Sequence, residues 1–169
     1  MDEADVRLFL RDGYARLVGA VALVTGDLAT AEDAVQEAVV RAWEREDRGE
    51  QIVVLDRWVA AVAMNLSRSG LRRLRVERLA RPRLVGAATI DPSNDDAVDV
   101  RRALAALPRR QRETAVLRYY LDLSTEEIAK AMGTSEGTVK SQLSKARAHL
   151  AEALTPHDEA EEEPHHAER

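Results

Sequence analysis

The chain has no cysteine, which excludes disulfides, thiol redox sensing and cysteine-ligated zinc. Aromatic residues are only 4% of the composition, so any core must be built from Ala, Val and Leu. No apolar run approaches the roughly 20 residues that a membrane helix needs, and no membrane insertion is expected. The opening MDEADVRLF lacks the basic-then-apolar layout of a secretory signal, so a cytoplasmic location is the expectation. Strand signals are missing too: the β-branched cluster Ile52 to Val54 is short. There is no glycine-rich phosphate loop, nucleophile elbow or metal-ligand spacing. His149, His157, His165 and His166 have no partner set, so neither catalysis, a cofactor nor a metal is expected.

What is present is charge, unevenly placed. The net charge is -5, and residues 156–169, PHDEAEEEPHHAER, account for all of it with six acids and one Arg. Residues 65–83 carry seven Arg against Glu77 alone, and residues 84–99 carry four Asp and no basic residue. A global acidic balance therefore hides local basic surfaces, and nucleic acid stays open as a partner.

Helical spacing dominates the rest. The pattern predicts a first helix from about Glu3 to Val24, ended by Gly26. It predicts a second to about Arg45, capped by Thr30 with Asp33 in the reciprocal position. A third runs from about Asp56 to Arg78. Residues 81–95, RPRLVGAATIDPSND, read as a flexible linker. Four more helices are predicted at 96–107, 109–121, 125–132 and 136–154, with Pro108 at the start of its helix, where its missing N–H costs nothing. The fold class is all-α: two small helical domains, residues 1–80 and 96–154, followed by a disordered acidic tail, 155–169. That tail is expected to modulate activity by competing with DNA for the basic surfaces.

In LSTEEIAKAMGTSEGTVKSQLSKARAHL, Ser124 and Glu127 form a capping box, Gly133 ends a short helix, and Ser135 starts another. Ile128, Ala129 and Met132 supply one apolar face; Val139, Leu143, Ala146 and Leu150 supply the next. Opposite that stripe lie Lys140, Ser141, Ser144 and Lys145, and Thr138 and Arg147 join them as candidate DNA contacts. A helix-turn-helix with a small-polar and basic outer face suits the DNA major groove, where Ser and Thr permit close approach and Lys and Arg meet phosphates or guanine edges.

This second half, with ALPRRQRETAVLRYY before it, resembles region 4 of bacterial extracytoplasmic-function (ECF) sigma factors. AEDAVQEAVVRAW, residues 31–43, resembles their region 2, and WVAAVAMNLSRSGLRR, residues 58–73, resembles the promoter-touching part of that region. The resemblance spans about residues 5–153. It implies a region 2 three-helix bundle and a four-helix region 4 domain. It implies a protein that binds core RNA polymerase, through the β′ clamp helices and the β flap, and directs it to promoter DNA. Asp33, Gln36, Glu37, Val40 and Arg41 would meet the polymerase. Asn65, Arg68, Ser69, Arg72 and Arg73 would meet the -10 element. The helix-turn-helix residues named above would meet the -35 element. The loop at 46–55 would hold a flipped base through Gln51, backbone groups and apolar side chains. An anti-sigma factor is a candidate partner, as in many relatives.

Other assignments follow from the residues themselves. Asp33 and Glu37 also complement the helix dipole near an N-terminus. Trp43 and Trp58 are expected in the core, Tyr119 in the core and Tyr120 on the surface. A conventional helix-turn-helix regulator with a sensory N-terminal half, and a helical adaptor, are the alternatives of a different class.

Overall fold

In a computed structural model, the described residues are 3–80 and 95–155. The expected linker, but for Asp95, and the acidic tail, but for Thr155, lie outside them. All regular structure among the described residues is helical. None of these helices is long and apolar enough to cross a membrane.

The first predicted helix is interrupted. Helix α1 spans Glu3–Leu8, a wider π-helical turn occupies Phe9–Gly13, and α2 spans Tyr14–Thr25. The buried Phe9 ring meets Tyr14 edge-on at 6.4 Å and folds back over Gly13, where an added Cβ would stand 2.9 Å from it. Such single-turn bulges admit one extra residue without ending the helix. Periodicity alone does not reveal them.

Helix α2 closes at Gly26, and α3 follows at Leu28–Asp47. Its cap corrects the prediction: Asp27, not Thr30, takes the N-cap, and its carboxylate accepts from the Thr30 N–H at 2.6 Å. Both residue types can cap, but an Asp directly before the apolar period places Thr30 inside the first turn. Asp33 is therefore released from any capping role. Ala31, Val35, Ala38 and Ala42 are fully buried, as their stripe predicts. They pack against α2 and against α4, Leu55–Ala80, whose Val59, Ala60, Ala63 and Met64 face them. Alanine at these contacts lets the helix axes approach closely.

The second half begins with α5, Asp95–Ala106, and α6, Arg109–Ala115. A second π-helical turn, Val116–Tyr120, extends α6; α7 (Thr125–Met132) and α8 (Glu136–Leu154) complete the fold. The capping box forms as read: the Ser124 hydroxyl accepts from the Glu127 N–H, and the Glu127 carboxylate accepts from the Ser124 N–H. Gly133 ends α7 at φ 61°, and Ser135 caps α8 by accepting from the Thr138 N–H. Ile128, Ala129, Met132, Val139, Leu143 and Ala146 are buried in the core that α7 and α8 share with α5 and α6.

The halves pack on each other, α4 against α7 and α2 against α5, α6 and the second π-helical turn. Their buried residues form one continuous cluster. Arg112 stitches the seam. Its guanidinium donates to the carbonyls of Leu104, Ala105 and Leu107 at the end of α5, and to Val24 at the end of α2. One cation thus satisfies the exposed carbonyls of two helix C-termini.

Two outcomes are expected. Gly133→Ala destabilises the fold by about 1 kcal/mol in urea unfolding, because a side chain there is forced into the left-handed region. Glu127 responds to pH. Burial pushes its carboxyl up, but the Ser124 N–H and hydroxyl, Arg57 and Lys130 outweigh that and hold it below the usual glutamate range. A depressed carboxyl contributes stability at neutral pH that is lost as pH falls through its folded value. Glu127→Gln should lose less stability than wild type between neutral pH and the acid side of the glutamate range.

Candidate polymerase and nucleic-acid interfaces

Helix α8 presents Thr138, Lys140, Ser141, Ser144, Lys145 and Arg147 to solvent, and all six are exposed. The buried stripe behind them fixes which way they face. Glu136 stands alone in the first turn, where an acid complements the helix dipole, and the next acid is Glu152. The face between is basic and small-polar. The Thr138 hydroxyl is engaged with Ser135 at 3.0 Å, so it helps to shape the helix start.

Helix α3 presents a different surface. Asp33, Gln36, Glu37 and Val40 are exposed, opposite the alanine stripe. Arg41 pairs with Glu37 at 2.9 Å, so part of the acidic face is locally balanced. Trp43 corrects an expectation: it is 50% exposed, not core. It lies three residues beyond Val40 and seven beyond Gln36, so it extends the same face with a large apolar surface. That spacing is in the sequence, but the alanine-rich stripe beside Trp43 favours assigning its bulk inward. Trp58 is half-buried, with the Arg45 guanidinium 5.9 Å from its ring centre.

Helix α4 carries the residues expected at the -10 element. Asn65 is exposed. Ser69, Arg72 and Arg73 lie on the helix, and their side chains are outside the described set. Arg68 departs from expectation. It turns toward the other half of the chain, where its Nε donates to Glu113 Oε1 at 2.7 Å and its Nη2 donates to the same oxygen. Its Nη1 donates to Asn65 Oδ1. Glu113, on α6, is 1% exposed. Nothing local marks this residue: in RRQRETA it reads as an ordinary surface acid. The connection before α4 is pinned by the Glu46 carboxylate, which accepts from the Ile52 N–H at 3.0 Å. Gln51, Val53 and Val54 are exposed there. Tyr119, expected in the core, is exposed because the π-helical turn rotates it outward; Tyr120 is exposed as expected. Among the described residues no cluster of His, Asp and Glu could hold a metal ion.

Two family models match the chain: Sigma-70 region 2 at residues 10–77 and Sigma-70 region 4 at residues 97–150. The chain belongs to the sigma-70 family. Its relatives place it in the ECF class. An RNA polymerase sigma-E factor of Streptomyces avermitilis is 31% identical over 89% of this chain and 85% of its own length. The ECF RNA polymerase sigma factor SigL of Mycobacterium tuberculosis is 34% identical over 83% of this chain and 84% of its own. A longer relative from Xanthomonas campestris, a probable RNA polymerase sigma factor, is 34% identical, but the match spans only 37% of it. Among solved structures, the sigma factor RpoE of Bartonella quintana, in complex with the anti-sigma factor NepR, superposes with a TM-score of 0.77 at 27% identity. That match covers 91% of this chain and 98% of RpoE. This sigma factor directs promoter-specific transcription initiation, and its partners are core RNA polymerase and promoter DNA.

Within this sigma factor the Arg68–Glu113 pair is the most deeply buried ion pair described. Arg68→Ala leaves the Glu113 carboxylate buried without that partner and should destabilise the fold by about 3 kcal/mol in urea unfolding. Arg41→Ala breaks an exposed pair and should change stability by less than about 0.5 kcal/mol.

Proposed function

We propose that the labour is divided by helix face. Asp33, Gln36, Glu37, Val40 and Arg41, with Trp43 beside them, dock on the β′ clamp helices of the polymerase core. The outer residues of α8, from Thr138 to Arg147, read the -35 element, and Asn65, Arg68, Ser69, Arg72 and Arg73 on α4 meet the -10 element. The domain division that accompanies this reading is 1–80, a linker at 81–95, 96–154 and an acidic tail from 155. The polymerase β flap is the further contact of the second domain. The protein acts in the cytoplasm and carries no catalytic step of its own.

One observation carries the reading. A single small chain presents a carboxylate–amide–apolar face in its region 2 stretch and an acid-free basic face in its region 4 stretch. The first suits a basic, partly apolar helical partner. The second suits a phosphate backbone. A region that clamps between two such surfaces would silence both, and the solved RpoE neighbour is held by an anti-sigma factor. An anti-sigma protein is the regulatory partner that fits this chain.

The test is co-elution with purified bacterial core polymerase. Wild type should co-elute, and Asp33→Ala/Glu37→Ala should not, while remaining folded by circular dichroism. Lys140→Ala/Lys145→Ala should keep polymerase binding and lose promoter binding, with the salt slope shallower by about 0.9 per phosphate contact removed. Failure of the folded wild type to bind core would favour a conventional helix-turn-helix regulator.

A further inference from the structure

The outer face of α8 carries positive charge that the rest of the fold leaves unneutralised. Lys140, Lys145 and Arg147 are exposed, and none has a carboxylate partner among the described residues, Glu136 and Glu152 on the same helix included. Other exposed bases of the same half are neutralised locally: Lys130 by Glu126 at 2.6 Å and Arg102 by Asp99 at 2.9 Å.

The missing acids come next in the chain. Helix α8 stops at Leu154, Thr155 leaves it in an extended conformation, and Pro156 cannot continue a helix. Residues 156–169 then hold six acids against one Arg, five of them between Asp158 and Glu163. They follow the partial negative charge of the α8 C-terminus, and the last turn has no basic residue to offset it. Going back along the helix, the first Lys or Arg side chains are Arg147, Lys145 and Lys140. At 1.5 Å per residue they lie about 11, 14 and 21 Å from Leu154 along the axis. Asp158 is four residues beyond Leu154 and Glu163 is nine. At about 3.3 Å per residue such lengths of chain span up to about 13 and 30 Å. Every base on the outer face of α8 is within their reach.

We propose that residues 156–169 are an internal competitor for DNA: their carboxylates dock on the outer face of α8 at Lys140, Lys145 and Arg147, and a duplex must displace them to reach it. The proposal rests on the assignment of α8 to DNA made above. The tether makes docking intramolecular, with an effective concentration on the order of millimolar. A carboxylate offers the charge of a phosphate but no base edge. The competitor weakens every duplex by one factor, the fraction of α8 left free. Non-specific duplex, held by phosphates alone, is shed first. A promoter element keeps the base contacts that restore binding.

The test compares full-length wild type with a full-length variant whose acids are neutralised, Asp158→Asn/Glu159→Gln/Glu161→Gln/Glu162→Gln/Glu163→Gln. Lys130, Lys140 and Lys145 are the only lysines of the chain, so carbodiimide coupling of carboxylates to lysine amines reports on α8 directly. Lys130, paired with Glu126, is the internal reference. In the monomeric fraction of wild type, mass spectrometry should find amide links from residues 158–163 to Lys140 and Lys145. A fluorescein-labelled random-sequence duplex should suppress them. Anisotropy with the same duplex should show about tenfold tighter binding by the neutralised variant at low salt, equivalent to about 1.4 kcal/mol. That advantage should shrink as salt rises, because docking between exposed charges is screened. Absence of the links, links that survive saturating duplex, or equal affinities at low salt would overturn the docking. Lys140→Ala/Lys145→Ala, built on the neutralised variant, separates the two readings. If it binds duplex as tightly as its parent, the assignment of α8 to DNA fails, and the links in wild type still decide whether the acidic segment docks there.

Discussion

The constraint that the rest of the structure obeys is the shortage of bulk. With one Phe, two Trp and three Tyr in 169 residues, the core cannot be closed by large side chains. It is closed by bringing helices together on alanine: Ala31, Ala34, Ala38 and Ala42 on α3 and Ala60 and Ala63 on α4 are all buried where α3 packs against α2 and α4. Each alanine contributes little burial, so many close contacts are needed to match what a few aromatics would supply. Close contact in turn demands well-satisfied helix ends, because a carbonyl or N–H trapped between tightly packed helices cannot turn to water. Asp27 and Arg112 serve such part-buried ends, while Ser124 and Ser135 cap exposed ones. The same economy leaves Trp43 and Val40 outside, where a partner can cover them.

Features written in a few adjacent residues were legible from the chain alone. The capping box of Ser124 and Glu127, the left-handed stop at Gly133 and the Ser135 cap all depend on side chains within three positions of one another. The stripes on α3 and α8 depend on helical period and on nothing else. These signals converge on the helix-turn-helix and on the exposed face of α3, which is why both were placed with the correct side outward. The failures share a cause as well. A π-helical turn changes the period by one residue and leaves no compositional mark, so Tyr119 was assigned inward when it points out. The choice between Asp27 and Thr30 as cap was decided by one residue of register, which periodicity does not resolve.

Arg112, Arg68 and Glu113 were invisible for a deeper reason. Their roles depend on groups distant in sequence: Val24 is 88 residues from Arg112, and Glu113 is 45 from Arg68. RRQRET reads as a solvated basic stretch until α2 and α4 are laid against it. An arginine that ends a helix and one that meets DNA have the same local sequence. Only the fold says which carbonyls or carboxylates lie within reach.

Electrostatics therefore acts at two ranges in this sigma factor. At long range, acids gathered on α3 and in the 156–169 segment and bases gathered on α4 and α8 give each surface its own sign despite a net charge of -5. At short range, a few of those bases are taken out of circulation by intramolecular partners. Arg68 and Lys140 are both basic residues on helices assigned to DNA, yet one is three-quarters or more covered and saturated, and the other is open to solvent. Counting positive charge along α4 overstates the surface available to a phosphate backbone. What a nucleic acid meets is set by which guanidinium groups the fold has left without a carboxylate.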